Sequence, residues 1–426
     1  MEIRGHDASY RSRRPSYVIV VADHDATLPP PSRRNRIPVY TMRRWKGFLL
    51  ATATTAQVKL HNRHQVLDHI YRHNGSSKQD IMRALNMSLP TITQNLRDLE
   101  ADGLIQCGGF FESTGGRKPK RYMFNSLVRL SIGVRMTSDT VIVCAVNMHG
   151  VCVKRASGRL PYAHTDAYYH RICQFTNHFI RSLNVPSSTI LGVAFCMQGI
   201  VSADGQSITF GKILGNEGLN TSTFAREIDH PCTFIHDSDA SAMTELWLDP
   251  SIENALCVYL EPYMGGAVII DGRLRQGSTM KNGTIEHMTL VEDGAPCYCG
   301  RKGCLDAYCS ARVLTGHRNE SIEEFFNQVR DDEYTHRRVF NIYLDNLALA
   351  IKNMRTVLNC DVIIGGQVGQ YFTNDDMADL KQRVQRLDSF PDCSLTMRKS
   401  ACAPDQDVLG AALTFVRTFV DEVCGR

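Results

Sequence analysis

Residues 283–309 read GTIEHMTLVEDGAPCYCGRKGCLDAYC. Cys297, Cys299 and Cys304 form a C-x-C-x4-C pattern, and His287 stands ten residues ahead of Cys297. Gly300 and Gly303 let the backbone fold tightly enough to gather the sulfurs. Three soft thiolates and one imidazole make a complete tetrahedral set for Zn2+. With no fourth position left open, such a centre is structural rather than catalytic. The plainer reading, a group of buried free thiols, is disfavoured by the compact Cys/Gly spacing. Cys309 is a competing ligand.

Strands and helices alternate on both sides of this stretch. Residues 130–150 alternate apolar and polar side chains, as a β-hairpin does, with a turn near Ser138-Asp139. Further strands are expected at 189–197, 232–237, 255–261, 266–272 and 361–366. Helices are expected at about 165–183, 239–247, 321–330, 334–359 and 406–424. This order predicts an α/β body of two lobes.

Upstream, from Val58, the period becomes helical. Leu60, His64, Leu67, Ile70 and Tyr71 recur at spacings of three and four and predict one apolar face. Asn74-Gly75 ends that helix. Ser77 with Asp80 caps a short second helix, which points Ile81, Met82 and Leu85 inward. Asn86-Met87 turns the chain. Ser88 caps a third helix, with Pro90 in its first turn, where a missing N–H costs nothing. Ile92, Leu96 and Leu99 face inward, and Thr91, Thr93, Gln94, Asn95 and Arg97 are expected outward. A hairpin follows, its tip at residues 112–122, where Gly115-Gly116 permits the turn. Arg117, Lys118, Lys120 and Arg121 arm it. Two helices, a polar third helix and a basic wing predict a winged helix-turn-helix that binds double-stranded DNA.

The charge agrees. Residues 1–125 hold 20 Lys and Arg against 10 Asp and Glu, whereas the remainder holds 28 against 34. Only the front is suited to a polyanion. Within it, residues 1–56 read poorly as a domain: they suit a weakly ordered basic extension or an over-long start, with Met42 an internal start. Arg33, Arg34, Arg36, Arg43 and Arg44 suit a solvated tail better than phosphate contacts. At 43% hydrophobic residues the chain can bury large cores, which excludes general disorder. The absence of a long apolar run argues against membrane insertion and secretion. Fifteen scattered cysteines point to a reducing cytoplasm.

The cysteine–glycine core resembles the ROK family, whose name joins repressors, open reading frames and kinases. The family pattern is Gly-His, then C-x-C-G-x-x-G-C-x-E. Here Glu286-His287 replaces Gly-His, and Cys304-Leu305-Asp306 replaces Cys-x-Glu. The resemblance extends over about residues 58–424. It implies a two-lobed actin-like ATPase (ribonuclease H-like) fold, a structural zinc and a sugar cleft between the lobes. Residues 57–125 form the winged helix-turn-helix in this reading and 126–240 the first lobe, to which helix 406–424 returns. Residues 241–405 form the second lobe, with the zinc ligands His287, Cys297, Cys299 and Cys304.

The catalytic pieces are only partly present. The family's Asp-Gly-Gly-Thr phosphate loop is matched by Arg135-Met136-Thr137-Ser138-Asp139, which has lost both glycines and carries an anion where a hydroxyl belongs. The second phosphate segment, 261–266, keeps only its last glycines. Gly365-Gly366 survives, although such a turn often serves packing alone. Asp237 aligns with the family's general base, its plainer role being the N-cap of helix 239–247. His236, Asp237, His287 and Asp306 are the expected ligand-binding residues, with Asp306 in place of a glutamate. Thr284 replaces another family glutamate, and Asn216 lies near a sugar-contacting segment.

These residues predict a DNA-binding repressor of carbohydrate-utilisation genes, regulated by a sugar or sugar phosphate. A homodimer or homotetramer is expected, with no ATP bound and no catalysis. The alternatives are an active ATP-dependent sugar kinase with an appended DNA-binding domain, and a repressor regulated by a protein partner.

Overall fold

The computed structural model describes residues 18–21, 54–73, 75–112, 118–316, 320–390, 395–401 and 405–426. The five tail arginines, Met42, Gly115-Gly116 and Arg117 lie outside them. No described helix is long and apolar enough to cross a membrane.

By its contacts the chain divides into two units. The larger contains Ser131–Val146 and Cys152–Phe415; the smaller contains the described residues from 54 to Leu130, with Asn147–Val151 and Val416–Arg426. Strand β1 (Val18–Val21) takes the outer edge of the larger unit's first sheet.

The smaller unit is built by its caps. Helix α1 (Thr55–Arg72) opens on a Thr54/Gln57 capping box. Helix α2 (Lys78–Leu85) opens on Ser77 and Asp80, and Asn86 in the left-handed region ends it at φ 52°. Helix α3 (Leu89–Ala101) starts at Ser88, whose hydroxyl accepts the Thr91 N–H. Strands β2 (Ile105–Phe110) and β3 (Lys120–Phe124) pair antiparallel as the wing. Val66, Leu67, Ile70, Ile81, Ile92, Leu96 and Leu99 close the core. Leu60, expected inward, is 53% exposed. The partners of α1 cover only its C-terminal half, so helical period alone did not locate the buried stretch.

The larger unit has two sheets. In the first, β4 (Leu130–Met136), β5 (Thr140–Asn147) and β6 (Cys152–Arg159) lead to helix α4 (Asp166–Arg181) and strand β7 (Ile190–Met197). The small hairpin β8 (Ile200–Val201) and β9 (Ile208–Phe210), the turn α5 (Ser222–Ala225) and strand β10 (Cys232–His236) follow. The strand order is β1-β6-β5-β4-β7-β10, with β10 parallel to β7. Helix α6 (Asp237–Leu248) then leads to β11 (Ala255–Tyr259), β12 (Gly265–Ile270) and β13 (Arg273–Leu274). After the cysteine loop come the single turns α7 (Asp306–Cys309) and α8 (Ala311–Thr315), then α9 (Ile322–Arg330) and the long α10 (Tyr334–Leu358). Strand β14 (Asp361–Gly365), the turn α11 (Gly366–Gly369), α12 (Asn374–Leu387), β15 (Met397–Lys399) and α13 (Gln406–Cys424) complete the chain. The second sheet runs β13-β12-β11-β14-β15, antiparallel at β11–β12 and parallel at β11–β14 and β14–β15.

Each lobe therefore has a hairpin leading into parallel strands. Helix α6 joins the two lobes. Its Ala240 packs against Ala194, Cys196 and Ile235 of the first sheet, and its Ala242 against Ala255, Cys257 and Ile363 of the second. Helix α13 docks on α6 through a glycine: a Cβ on Gly410 would lie 1.7 Å from the Ala240 carbonyl oxygen. Backbone cannot yield as a side-chain tip does. Gly410→Ala is therefore expected to cost about 2–3 kcal/mol, which a calorimetric melt would read as a fall of about 5 °C. An unchanged melt would refute the close approach.

Candidate functional site

The outer face of α3 carries Gln94 and Arg97, both exposed, with Thr91 and Thr93 half-exposed. Gln94 donates from Nε2 to Asp98 at 2.8 Å across one helical turn. Asn95 corrects the sequence reading. It is only 6% exposed, and its Nδ2 donates to the Thr91 carbonyl at 2.8 Å. It lies on the same face as Ile92 and Leu99, so it cannot reach a base. In the wing, Lys118 is exposed, whereas Lys120 is tied to Glu100 at 2.5 Å, which holds its pKa above the ordinary lysine value. Arg121 lies over the Phe111 ring, its guanidinium carbon 5.7 Å from the ring centroid.

In the larger unit, the ligand atoms of His287, Cys297, Cys299 and Cys304 lie within 4.8 Å of one another. Cys299 and Cys304 Sγ are 3.7 Å apart, and Cys297 Sγ is 3.9 Å from His287 Nδ1. Metal–sulfur bonds of about 2.3 Å in a tetrahedron place sulfurs roughly 3.8 Å apart, so this donor set fits a single metal ion. The backbone makes the cluster. Cys297 N donates to Arg301 O at 2.8 Å, and Gly303 adopts φ +76°, where a Cβ would meet Val291 O at 1.7 Å. Cys309, the competing ligand, is fully buried, with its Sγ 4.0 Å from Tyr343 O. It belongs to the hydrophobic core.

His287 also borders a cavity of about 380 Å3. Its Nδ1 faces the cysteines, and its Nε2 lies 3.3 Å from the Tyr298 hydroxyl and 3.7 Å from the Glu286 carboxylate. His236, Asp237, Gln198 and Thr284 line the same space. Asp237 is the first residue of α6, and its Oδ1 accepts the Ser238 N–H at 2.8 Å. The N-cap position falls to His236, so the plainer reading of Asp237 does not hold. Asp237 Oδ1 lies 3.4 Å from His236 Nε2. Burial opposes charge on His236, but Asp237, Asp239 and Glu286 outweigh it and hold the imidazole pKa above its usual value.

Asp306 does not join the cavity lining. It is buried, accepting the Met264 N–H at 2.9 Å and pairing with Arg312 at 2.5 Å. Its short side chain is used up in locking the loop after β11. Asn216 is likewise buried, its amide bonded to the Gln198 carbonyl. Glu286 is the residue that sequence reasoning passed over. The signal was its place beside His287, where the family pattern has glycine.

The ROK family profile matches residues 131–417, and a winged helix-turn-helix DNA-binding profile matches residues 60–106. The chain belongs to the ROK family. It is 23% identical over 260 residues to the xylose repressor of Bacillus spizizenii, covering 60% of this chain and 67% of that protein. It is 21% identical over 315 residues to the xylose repressor of Bacillus subtilis, covering 72% and 82%. An N-acetylmannosamine kinase of Vibrio cholerae matches at 27% over 158 residues, 34% of this chain and 54% of that one. Among solved structures, a ROK family transcriptional regulator homologous to the E. coli MLC protein superposes with a TM-score of 0.70 at 17% identity, over 86% of this chain and 98% of that one. A ROK hexokinase from Thermus thermophilus superposes with a TM-score of 0.59 at 18% identity, over 68% and 99%. The fold is thus the two-lobed actin-like ATPase fold with an N-terminal winged helix, as the resemblance implied.

In this ROK chain a second cavity of about 560 Å3 adjoins the β4–β5 turn. Asp139, Asp237, Glu261, Asp405 and Asp407 line it, with Arg135. Arg135 is held by Asp407 at 3.0 Å and Asp405 at 3.7 Å. Burial pushes the Glu261 carboxyl up to about 7 and raises that of Asp407, against the pull of Arg135. Gly366 has φ +81°, and a Cβ there would strike the Leu260 backbone at 2.6 Å. The surviving Gly-Gly turn therefore has a packing reason of its own.

Proposed function

We propose that this protein is a repressor of carbohydrate-utilisation genes whose kinase-like body binds a sugar without phosphorylating it. One observation carries the reading. A winged helix with an exposed polar recognition face shares a chain with a ROK body whose β4–β5 cavity is walled by carboxylates. The names of the Bacillus relatives support the repressor part. Arg135, the one arginine among the described residues of that cavity, is already paired with aspartates, so a nucleotide's phosphates would meet uncompensated negative charge.

Zinc is the metal that best suits three thiolates and an imidazole, and it would supply only a structural cross-link. His287 would hold it through Nδ1 and keep Nε2 toward the cavity, linking the loop's order to the ligand site. A dimer would place two recognition helices about 34 Å apart, one turn of DNA. A sugar regulates only if it binds the DNA-competent and DNA-free states unequally.

The test titrates the zinc-loaded protein against DNA from upstream of its own and neighbouring sugar genes, with and without a panel of sugars and sugar phosphates. Specific binding that one sugar alters is expected. ADP release is expected to stay at background with every sugar. Sugar-dependent ADP release that Asp237→Asn abolishes would overturn the non-enzymatic reading. Specific DNA binding that no sugar alters would move regulation to a protein partner.

A further inference from the structure

Glu286 is a buried acidic residue of the larger unit. It lies on the short turn Ile285–His287 and is only 6% exposed, yet it lines the 380 Å3 cavity. Among the described residues its Oε2 has no hydrogen-bond partner, and its Oε1 approaches His287 Nε2 only to 3.7 Å. By contrast, both oxygens of the buried Asp306 nearby are used, by the Met264 N–H and by Arg312. A buried carboxylate oxygen without a donor has lost its water and gained nothing in return, an arrangement native structures keep for a reason.

We infer that Glu286 is a ligand-gripping residue, and that the group it grips is a hydroxyl of an uncharged sugar. This rests on the sugar-binding reading above. The unpartnered carboxyl oxygen offers acceptor lone pairs to the cavity, and a hydroxyl donor satisfies them. Sugar hydroxyls supply donors in pairs, and rotation about χ3 turns either oxygen of Glu286 toward the cavity. The Asp237 carboxylate lines the same space, so the two acids present acceptors to one ligand. Gln198 adds an amide, and Tyr298 a ring with a hydroxyl. A phosphate has no donor to give these oxygens and would be repelled by Asp237, so a neutral sugar suits this end of the cavity better than a sugar phosphate.

The experiment measures binding of D-xylose, D-glucose and glucose 6-phosphate by calorimetry. It uses the full-length zinc-loaded protein and its Glu286→Gln and Glu286→Asp variants. Zinc per chain and operator affinity without sugar are recorded in parallel. The wild type is expected to bind a neutral sugar and to bind glucose 6-phosphate at least tenfold more weakly. Glu286→Gln should weaken sugar binding at least tenfold, and Glu286→Asp by less. Zinc content and sugar-free operator affinity should not change in either. Equal sugar affinity in wild type and both variants would overturn the role of Glu286 while leaving sugar sensing intact. Loss of zinc in both variants would make Glu286 a support for His287 instead. Tighter binding of glucose 6-phosphate than of glucose would overturn the ligand class. A wild type whose DNA binding responds only to a sugar phosphate would overturn the inference alone; no response to any sugar would remove the sensing reading beneath it.

Discussion

Replacing Cys304 with serine, or stripping the metal with a chelator, is expected to lower the unfolding midpoint by about 5 °C. Binding of zinc to a closed thiolate–imidazole site is worth on the order of 10 kcal/mol, and in small domains that energy is folding energy. Here only part of it acts globally, because residues 287–304 can open as a loop. If roughly a third is coupled to unfolding, at just under 2 °C per kcal/mol for a body of this size, the midpoint falls by that amount. Cys304 is nearly inaccessible and its backbone pairs with Thr289, so losing its ligand bond frees both the loop and the edge of the cavity. Metal per chain should fall from one to near zero. Cys309→Ser is the control: its sulfur packs in the core near Tyr343, so it should destabilise modestly and keep the metal. Metal lost from Cys309→Ser but retained in Cys304→Ser would reverse the ligand assignment. Acidification should mimic chelation, because the thiolates and the imidazole must be deprotonated to bind.

The second large effect is on DNA. Gln94→Ala combined with Arg97→Ala should weaken binding to the specific operator by a hundredfold or more, and binding to random DNA far less. The estimate follows from about 1–3 kcal/mol for each side chain that reads a base edge. Gln94 must first release Asp98, so part of its contribution is spent on that exchange. Arg117→Ala with Lys118→Ala should behave differently. It should weaken all sequences alike and reduce the slope of log K against log salt by about two, since each phosphate contact releases about one counterion. Asn95→Ala should leave base preference alone and cost about 1 kcal/mol of stability, the net value of one internal hydrogen bond. Gel shifts at several salt concentrations separate the three. Unchanged operator affinity in the Gln94/Arg97 pair would remove α3 as the reading helix.

The caps at Ser77 and Ser88, the turn at Asn86 and the cysteine cluster could all be read from neighbouring residues. Each is a local event: a hydroxyl meets an N–H three residues on, or a Gly-bent loop brings its sulfurs together. The first lobe's hairpin and the strands of both lobes were legible for the same reason, because alternation and helical period are properties of short windows. The readings that failed concern polar groups whose partners lie elsewhere. Asn95 read as a recognition residue because its helix is polar; only the packing of α1 and α2 on α3 decides which side is inside. Asp306 read as a ligand group because of its place in the motif; Met264, far upstream on another loop, had already taken its oxygen.

By itself, then, the sequence determined most of the elements and the His287–Cys297–Cys299–Cys304 cluster, since chemistry over short spans controls those, whereas helix α12 and strands β6 and β15 went unread. Only the tertiary structure decided which carboxylates are spent and which are free. It brought Asp405 and Asp407 onto Arg135, used up Asp306, and left Glu286 buried beside an open cavity without a donor. A buried charge takes its meaning from whatever the fold places against it, and these partners come from remote parts of the chain.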